Sequence, residues 1–242
     1  MQEKRPARLA MTPDVLAILK RNLVKARLPL VEKRLIWAAA CFLFVGSLRS
    51  GEILPAGKTH FVKDCTLRNQ HVTIVKKMVE GEEIEMMEVF LQAPKEDKKR
   101  RGVTIELMRL PHAFFCPVKA WKSWREASKL DNNPKSPVFR KEDGRGFTQS
   151  ELNKILKGML EHEYDYSEGR ISAHSFRAGI TTTMGRLGYS TELIQLQGRW
   201  RSDAYLRYCK QGRATRLKDQ WILMADMAKV STTWLSGGVL VQ

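Results

Sequence analysis

The sequence predicts a mixed α+β domain that is mainly helical and carries a small antiparallel β-sheet on one edge. Apolar residues recur at helical spacing in residues 12–45 and again from residue 117 onward. Strand-like segments rich in β-branched residues occur between residues 60 and 110. At 242 residues, the chain is long enough to bury one large core.

The first part of the chain predicts a basic arm or linker stub at residues 1–11, followed by two helices. Thr12 and Pro13 form a typical helix opening, because proline is favoured in the first turn. The apolar residues that follow suit one buried face. A second helix is predicted for residues 31–45. Its later turns are almost wholly apolar, so it should lie in the core, and its C-terminal end leads to Arg49.

Strand patterns then replace helical ones. The predicted strands and the turn between the first two cover residues 71–75, 80–83, 84–91 and 103–107. The last connection holds Lys95 and the densest basic run of the chain, which consists of Lys98, Lys99, Arg100 and Arg101. This run would contact a DNA backbone, act as a nuclear address or form a solvated turn, and the pattern leaves these readings open.

Two further helices are predicted at residues 117–128 and 149–163. Trp121 and Trp124 lie three residues apart in the first of them, so we expect them to pack in the core rather than stack on bases. Residues 131–145 are polar and contain turn signals, which predicts a surface loop.

The C-terminal part predicts helices at residues 174–187, with Ser172 as N-cap, and from Ser190 to Gly198. A further helix should begin at residues 202–203 and carry both Tyr205 and Tyr208. Residues 216–229 have an apolar face at helical spacing. The apolar tail at residues 229–242 should pack either on a neighbouring protomer or back on its own domain.

Composition indicates a polyanionic partner. Forty-two Lys and Arg against twenty-six Asp and Glu leave a net charge of +16, with a pI near 9.9. The four cysteines lack the paired spacing of a zinc site or a disulfide framework. The longest uncharged apolar run is well short of the roughly 20 residues that span a bilayer, and the charged N-terminus does not look like a secretory signal. We therefore expect no membrane association.

His174 and Arg177 would lie on one face of a helix, because they are three residues apart. An imidazole can transfer a proton near neutral pH, and a guanidinium donates in a planar fork that matches phosphate oxygens. The pair therefore supplies a proton-transfer group and a phosphate-binding group, both of which phosphoryl transfer uses. His-x-x-Arg alone is common, however, and an ordinary surface helix would produce it as well.

Further motifs give the pair a context. Residues 46–54, Gly-Ser-Leu-Arg-Ser-Gly-Glu-Ile-Leu, resemble the first arginine box of the tyrosine recombinase (phage integrase) family. Residues 91–105 resemble the family's hairpin with a lysine, and residues 172–179 and 198–208 resemble its last boxes. The set stands in the family's order across residues 12–211. The segment 198–208 is most similar to recombinases of eukaryotic mobile elements, such as cryptons and DIRS-like retroelements.

The resemblance implies a role for each matching residue. Tyr208 would be the nucleophile that forms a 3′-phosphotyrosine, since it lies ten residues after Gly198; Tyr205 would pack against the domain. Arg49 and Arg177 would clamp the phosphate, and Glu52 would orient Arg49. Lys95 would protonate the leaving 5′-oxygen, and His174 would assist proton transfer to or from the tyrosine. Many relatives carry His directly after the glycine, where this chain has Arg199. Trp200 is the candidate for that role, with Arg199 left open as the alternative.

The resemblance also implies partners. The function would be that of a site-specific DNA recombinase or transposase acting on double-stranded DNA, as a dimer on one site and a tetramer in the synaptic complex. Arg199, Arg201 and the basic run would contact DNA. No acidic cluster of the two-metal kind accompanies the motifs, so no metal or other cofactor is expected.

The catalytic domain would cover residues 12–228, without the family's smaller N-terminal DNA-clamp domain. Its expected location is the nucleus for a eukaryotic mobile element, and otherwise the cytoplasmic nucleoid. Two other functions stay open: a catalytically idle DNA-binding protein derived from a recombinase, and a type IB topoisomerase-like enzyme.

Overall fold

The computed structural model describes residues 9–59, 66–92, 99, 101–110, 112–163, 171–200 and 203–207. It has the predicted mixed α+β, mainly helical architecture. The helices are α1 (Pro13–Lys25), α2 (Leu30–Val45), α3 (Ser50–Ile53), α4 (Pro117–Ser128), α5 (Gln149–Leu160), α6 (His174–Arg186) and α7 (Thr191–Gly198). The strands are β1 (Val72–Val79), β2 (Glu82–Leu91) and β3 (Val103–Met108).

Helix α2 is the centre of the core. Every residue from Leu35 to Phe44 is buried, which is the pattern of a helix surrounded on all sides by protein. It packs against α4 and α6. Trp121 and Trp124 of α4 contact each other and the Phe139 ring within this core, as the sequence predicted. The C-terminal end of α2 is therefore a fixed base for the loop that follows it.

The strands form one antiparallel sheet in the order β1-β2-β3. Val72 pairs with Val89 and Leu91 with Val103, so the buried face presents aliphatic side chains to the core. Lys77 lies on the opposite face and forms ion pairs with Glu88 and Glu106, at 2.6 Å each. One face therefore packs on the helices, while the other is polar.

The N-terminal segment joins the core earlier than the sequence indicated. Met11, assigned to the basic arm, is fully buried, and its N–H donates to the Ser175 carbonyl at 2.8 Å. At this crossing Gly179 of α6 lies so near the Met11 backbone that a Cβ would overlap it. The close approach explains why a glycine occupies the middle of a helix.

The predicted surface loop at residues 131–145 is only partly a surface loop. Val138 and Phe139 are fully buried, and the Phe139 ring stacks on Trp124 with centroids 5.7 Å apart. Arg140 is also buried, and it pairs with Asp131 at 2.6 Å. Two apolar residues inside a polar stretch were enough to draw the segment into the core.

The boundaries near the C-terminus differ slightly from prediction. Helix α6 begins at His174 with Ala173 at the N-cap position, while the Ser172 hydroxyl accepts the His174 backbone N–H at 3.3 Å. Helix α7 is capped by Ser190 as predicted. A 3₁₀ turn covers Asp203–Arg207. The predicted helix at residues 216–229 and the tail at residues 229–242 lie outside the described residues. None of the helices described is long and apolar enough to cross a membrane.

Candidate functional site

The first part of the site is the turn between α2 and α3. Arg49 stands just before α3 and has extended backbone. The Glu52 carboxylate reaches back to it, accepting the Arg49 backbone N–H at 2.8 Å and its Nη1 at 3.3 Å. The side chain of Glu52 is only 5% exposed, against 19% for Arg49. Glu52 therefore holds the guanidinium at a fixed place on the α2–α3 turn.

The second part comes from the first turns of α6. Asn153 of α5 anchors the start of this helix by accepting the Ala173 N–H through Oδ1 at 2.8 Å. His174 follows and is exposed. Arg177, one turn later, is buried at 4% exposure. Its Nη1 donates to the Ser47 carbonyl at 2.9 Å, and its Nη2 donates to the Gly198 carbonyl.

The third part is the C-terminal end of α7. Arg199 has φ +50° and ψ +45°, the left-handed conformation that often ends helices but usually falls on glycine. This turn directs its Nη2 to Glu52 Oε2 at 2.9 Å. The Trp200 ring lies against the Arg177 guanidinium, 4.2 Å from the ring centroid. Position 198 must be glycine, because a Cβ there would overlap the indole of Trp200.

These contacts connect three parts of the chain: the α2–α3 turn, the start of α6 and the end of α7. Glu52 joins Arg49 to Arg199. Arg177 joins the carbonyl of Ser47, two residues before Arg49, to that of Gly198, directly before Arg199. Gln197 adds another link, donating to the Val45 carbonyl at 2.9 Å. The contacts of Arg177 with Ser47, of Gln197 with Val45 and of Glu52 with Arg199 each span more than 100 residues, so the site exists only in the folded chain.

The electrostatics of the site favour an anion. The guanidiniums of Arg49 and Arg199 share the Glu52 carboxylate, and the Arg177 guanidinium bonds the carbonyls of Ser47 and Gly198. These four side chains carry three positive charges and one negative charge. Burial lowers the pKa of Arg199; Glu52 raises it and Arg49 lowers it further. The group still carries its proton at neutral pH, because an arginine is effectively always protonated. A phosphodiester anion, with one negative charge, would reduce this excess of positive charge.

The other candidate residues are divided between described and undescribed parts. Lys99 and Arg101 are exposed beside the start of β3. Tyr205 is 5% exposed, within the 3₁₀ turn. Five candidates lie outside the described residues: Lys95, Lys98, Arg100, Arg201 and Tyr208. In the part of the chain that is described, no three His, Cys, Asp or Glu side chains gather as metal ligands would.

The structure also adds participants that sequence reasoning missed. Ser47 and Gly198 take part through their carbonyls, which leave no side-chain signature. The link from Glu52 to Arg199 spans 147 positions and follows no periodicity. Ser47 has φ +47° without being glycine, but this conformation could not be read from its identity.

Comparisons with known proteins agree with this fold. No family model and no curated protein matches the chain by sequence. Among solved structures, a XerH site-specific recombinase bound to palindromic difH substrate, in a post-cleavage complex, has a TM-score of 0.58 and 16% identity. The match covers 91% of this chain and 53% of that one.

Two further structures are similar. A lambda integrase dimer bound to a COC′ core site gives a TM-score of 0.56 at 12% identity, covering 88% of this chain and 51% of that one. An FLP recombinase–Holliday junction complex gives 0.51 at 14% identity, covering 82% and 46%. The chain thus spans about half the length of these structures. At such identities the likeness shows the fold alone: this chain has the mixed α+β fold of tyrosine recombinase catalytic domains.

Proposed function

We propose that this chain is the catalytic domain of a site-specific DNA recombinase, which cleaves and rejoins strands through a 3′-phosphotyrosine. One observation carries the proposal: Arg49 and Arg199 share the Glu52 carboxylate, and Arg177 joins the two turns that present them. On a recombinase fold, this cluster supplies the positive charge that phosphodiester cleavage needs.

The reaction would use Tyr208 as nucleophile. Its phenolic oxygen attacks phosphorus, the new O–P bond forms, and the bond from phosphorus to the 5′-oxygen breaks. The phenolic proton leaves with assistance from His174, and the 5′-oxygen takes a proton from Lys95. The arginines stabilise the extra negative charge of the transition state. Reversal with another 5′-hydroxyl rejoins the strand without an external energy source.

The DNA partner is supported by charge. A net charge of +16 favours association with a polyanion, and its effect should fall steeply as salt is added. The run at residues 98–101 and Arg201 would contact the phosphate backbone. A dimer on one site and a tetramer in synapsis remain part of the proposal, as does tail docking on a neighbour. So do a mobile-element origin of the crypton or DIRS-like kind, transposase activity and a nuclear location.

Covalent trapping tests the proposal. The protein is incubated with nicked duplexes that carry a randomised segment, the mixture is denatured, and protein–DNA adducts are recovered and sequenced. Tyr208→Phe and Tyr205→Phe are run in parallel. Because Tyr205 is buried while its phenolic oxygen has no proposed chemical role, Tyr205→Phe is the matched control. We expect an adduct that disappears in Tyr208→Phe and persists in Tyr205→Phe.

The other functions would give different results. Salt-sensitive binding without any adduct would refute the enzyme and favour the idle DNA-binding protein. An adduct accompanied by relaxation of supercoiled plasmid, with no recombinant product, would favour the topoisomerase-like enzyme. Loss of the adduct in Tyr205→Phe but not in Tyr208→Phe would overturn the choice of nucleophile.

A further inference from the structure

We propose that Arg199 is a third phosphate-contacting arginine of this site, and that Trp200 is a positioning residue for Arg177. The inference rests on the proposed function and names which residue performs the role that the sequence left open between the two. It assigns catalysis to the guanidinium directly after Gly198 and a supporting contact to the indole that follows.

The Glu52 carboxylate holds Arg49 and Arg199 together. Glu52 uses Oε1 for Arg49 Nη1 and Oε2 for Arg199 Nη2, at 3.3 and 2.9 Å. A carboxylate that bridges two guanidiniums fixes their separation and their orientation. Arg49 and Arg199 are exposed to similar extents, 19% and 21% of their side chains. The geometry makes them a pair held for one ligand, rather than one binding residue and one bystander.

Arg199 also has a hydrogen-bond donor without an acceptor among the described residues. This donor is Nη1, which is buried. A buried guanidinium donor without an acceptor is unfavourable, and Glu52 already has both oxygens engaged. A non-bridging phosphate oxygen is an acceptor of the required charge.

The backbone conformation of Arg199 also favours a functional role. Arg199 adopts a left-handed conformation at φ +50°, where glycine would be free of strain. A strained non-glycine residue persists when the rest of the structure holds it, and such residues concentrate at functional sites. Ordinary helix capping does not require a long cationic side chain here. A strained arginine at position 199 is explained if its guanidinium binds the ligand.

Trp200 occupies a different position. Its ring lies against the Arg177 guanidinium and fills the space that a Cβ at position 198 would need. A cation over an aromatic face is held in place by the ring. Arg177 in turn bonds the Gly198 carbonyl, so the indole holds the arginine that ties α7 to the rest of the site. This contact acts on Arg177 and needs no contact with DNA.

The test compares two forms of the duplex recovered by covalent trapping. One has the normal scissile phosphate; the other has a methylphosphonate, which lacks one charged oxygen. Arg199→Ala should slow adduct formation at least about 100-fold on the phosphate, the scale of losing one transition-state donor, and less than about tenfold on the methylphosphonate. Arg199→Lys should recover part of the rate on the phosphate.

Controls separate catalysis from folding. Arg145→Ala removes an exposed arginine that is likewise paired with a carboxylate, that of Asp143, and that forms no hydrogen bond or ion pair with Arg49, Glu52, Arg177 or Arg199 in the described part of the chain; it should not change either rate. Trp200→Phe should retain nearly full activity, because a ring remains over Arg177. Trp200→Ala should slow both substrates, since a displaced Arg177 releases the turn at Gly198 in addition to losing its own contact with the phosphate.

The outcomes distinguish the inference from the function. If the wild-type chain forms no Tyr208-dependent adduct, the proposed function fails and this inference with it. If the adduct forms but Arg199→Ala reacts at the wild-type rate, only the inference is wrong. An equal loss on both substrates in Arg199→Ala would show a structural role and would also refute it. If Trp200→Phe lost rate on the phosphate but not on the methylphosphonate, the contact with the phosphate would belong to the Trp200 indole and not to Arg199.

Discussion

Replacing Glu52 with glutamine tests whether this carboxylate holds the cluster together. The substitution keeps the shape of the side chain but removes the charge that Arg49 and Arg199 share. A glutamine has one carbonyl oxygen, so it can accept from only one of the two guanidiniums, and its NH₂ group would face the other. Two arginines would then be left close together without the negative charge that they share in the wild type.

The size of the effect follows from burial. Each guanidinium–carboxylate contact is worth up to about 4 kcal/mol at an effective dielectric constant of about 20. The partial exposure of both arginines reduces what is lost, because water screens the attraction. Breaking a buried pair costs about 3–5 kcal/mol, and Glu52 is 5% exposed. We expect the free energy of unfolding to fall by about 3 kcal/mol, which lowers Tm by about 6–12 °C in a chain of this size.

Urea denaturation and thermal melting measure this change. Glu106→Gln is the matched control, because it removes an exposed carboxylate whose partner Lys77 keeps Glu88. It should leave Tm almost unchanged. Added sulfate should restore more stability to Glu52→Gln than to Glu106→Gln, because an anion can replace the missing counterion. A loss below about 1 kcal/mol, or equal sulfate effects in both variants, would refute the reasoning.

Two further predictions concern the surrounding fold. Gly179→Ala should destabilise the protein by more than about 2 kcal/mol, because the added Cβ would overlap the Met11 backbone. Gly158→Ala has open space around it in α5 and should stabilise the protein by about 0.5–1 kcal/mol. Urea midpoints that shift in the same direction in both variants would contradict this contrast. Burial lowers the pKa of His71, and Arg68 lowers it further. The native state then binds fewer protons than the unfolded state, so stability present above about pH 6.5 should decline as pH falls below it, in denaturation curves of wild type but not of His71→Gln.

Helices were the most predictable part of the fold because their signals are local. Proline at the start and helical spacing of apolar residues place α4 at the predicted residues, with Trp121 and Trp124 in the core. Phe139 escaped prediction because a short apolar stretch in a polar segment has no periodicity. Its burial depends on partners from α2 and α4, which the local sequence does not reveal.

The site divides in the same way. The contact of Arg49 with Glu52 is local, three residues apart, and its residue types suggested it. The contact of Glu52 with Arg199 depends on how α7 ends against the α2–α3 turn. A left-handed turn at Arg199 decides that direction, and sequence patterns would have placed glycine there. The residue types therefore identified the arginines as candidates, but only the fold shows that Arg49 and Arg199 share one carboxylate.

Arg177 shows why single substitutions in such a site are difficult to interpret. It bonds the carbonyl of Ser47 on one side and that of Gly198 on the other, and both belong to turns that contain a left-handed non-glycine residue. Removing it would release both turns and displace Arg49 and Arg199 together. The loss measured for Arg177→Ala would then exceed the value of any phosphate contact that Arg177 makes, since residues acting as a unit are not additive. A double-mutant cycle with Arg199 on the charged and the uncharged phosphate separates the two contributions. Coupling that persists without the phosphate charge measures positioning, and coupling that vanishes with it measures contact with the phosphate.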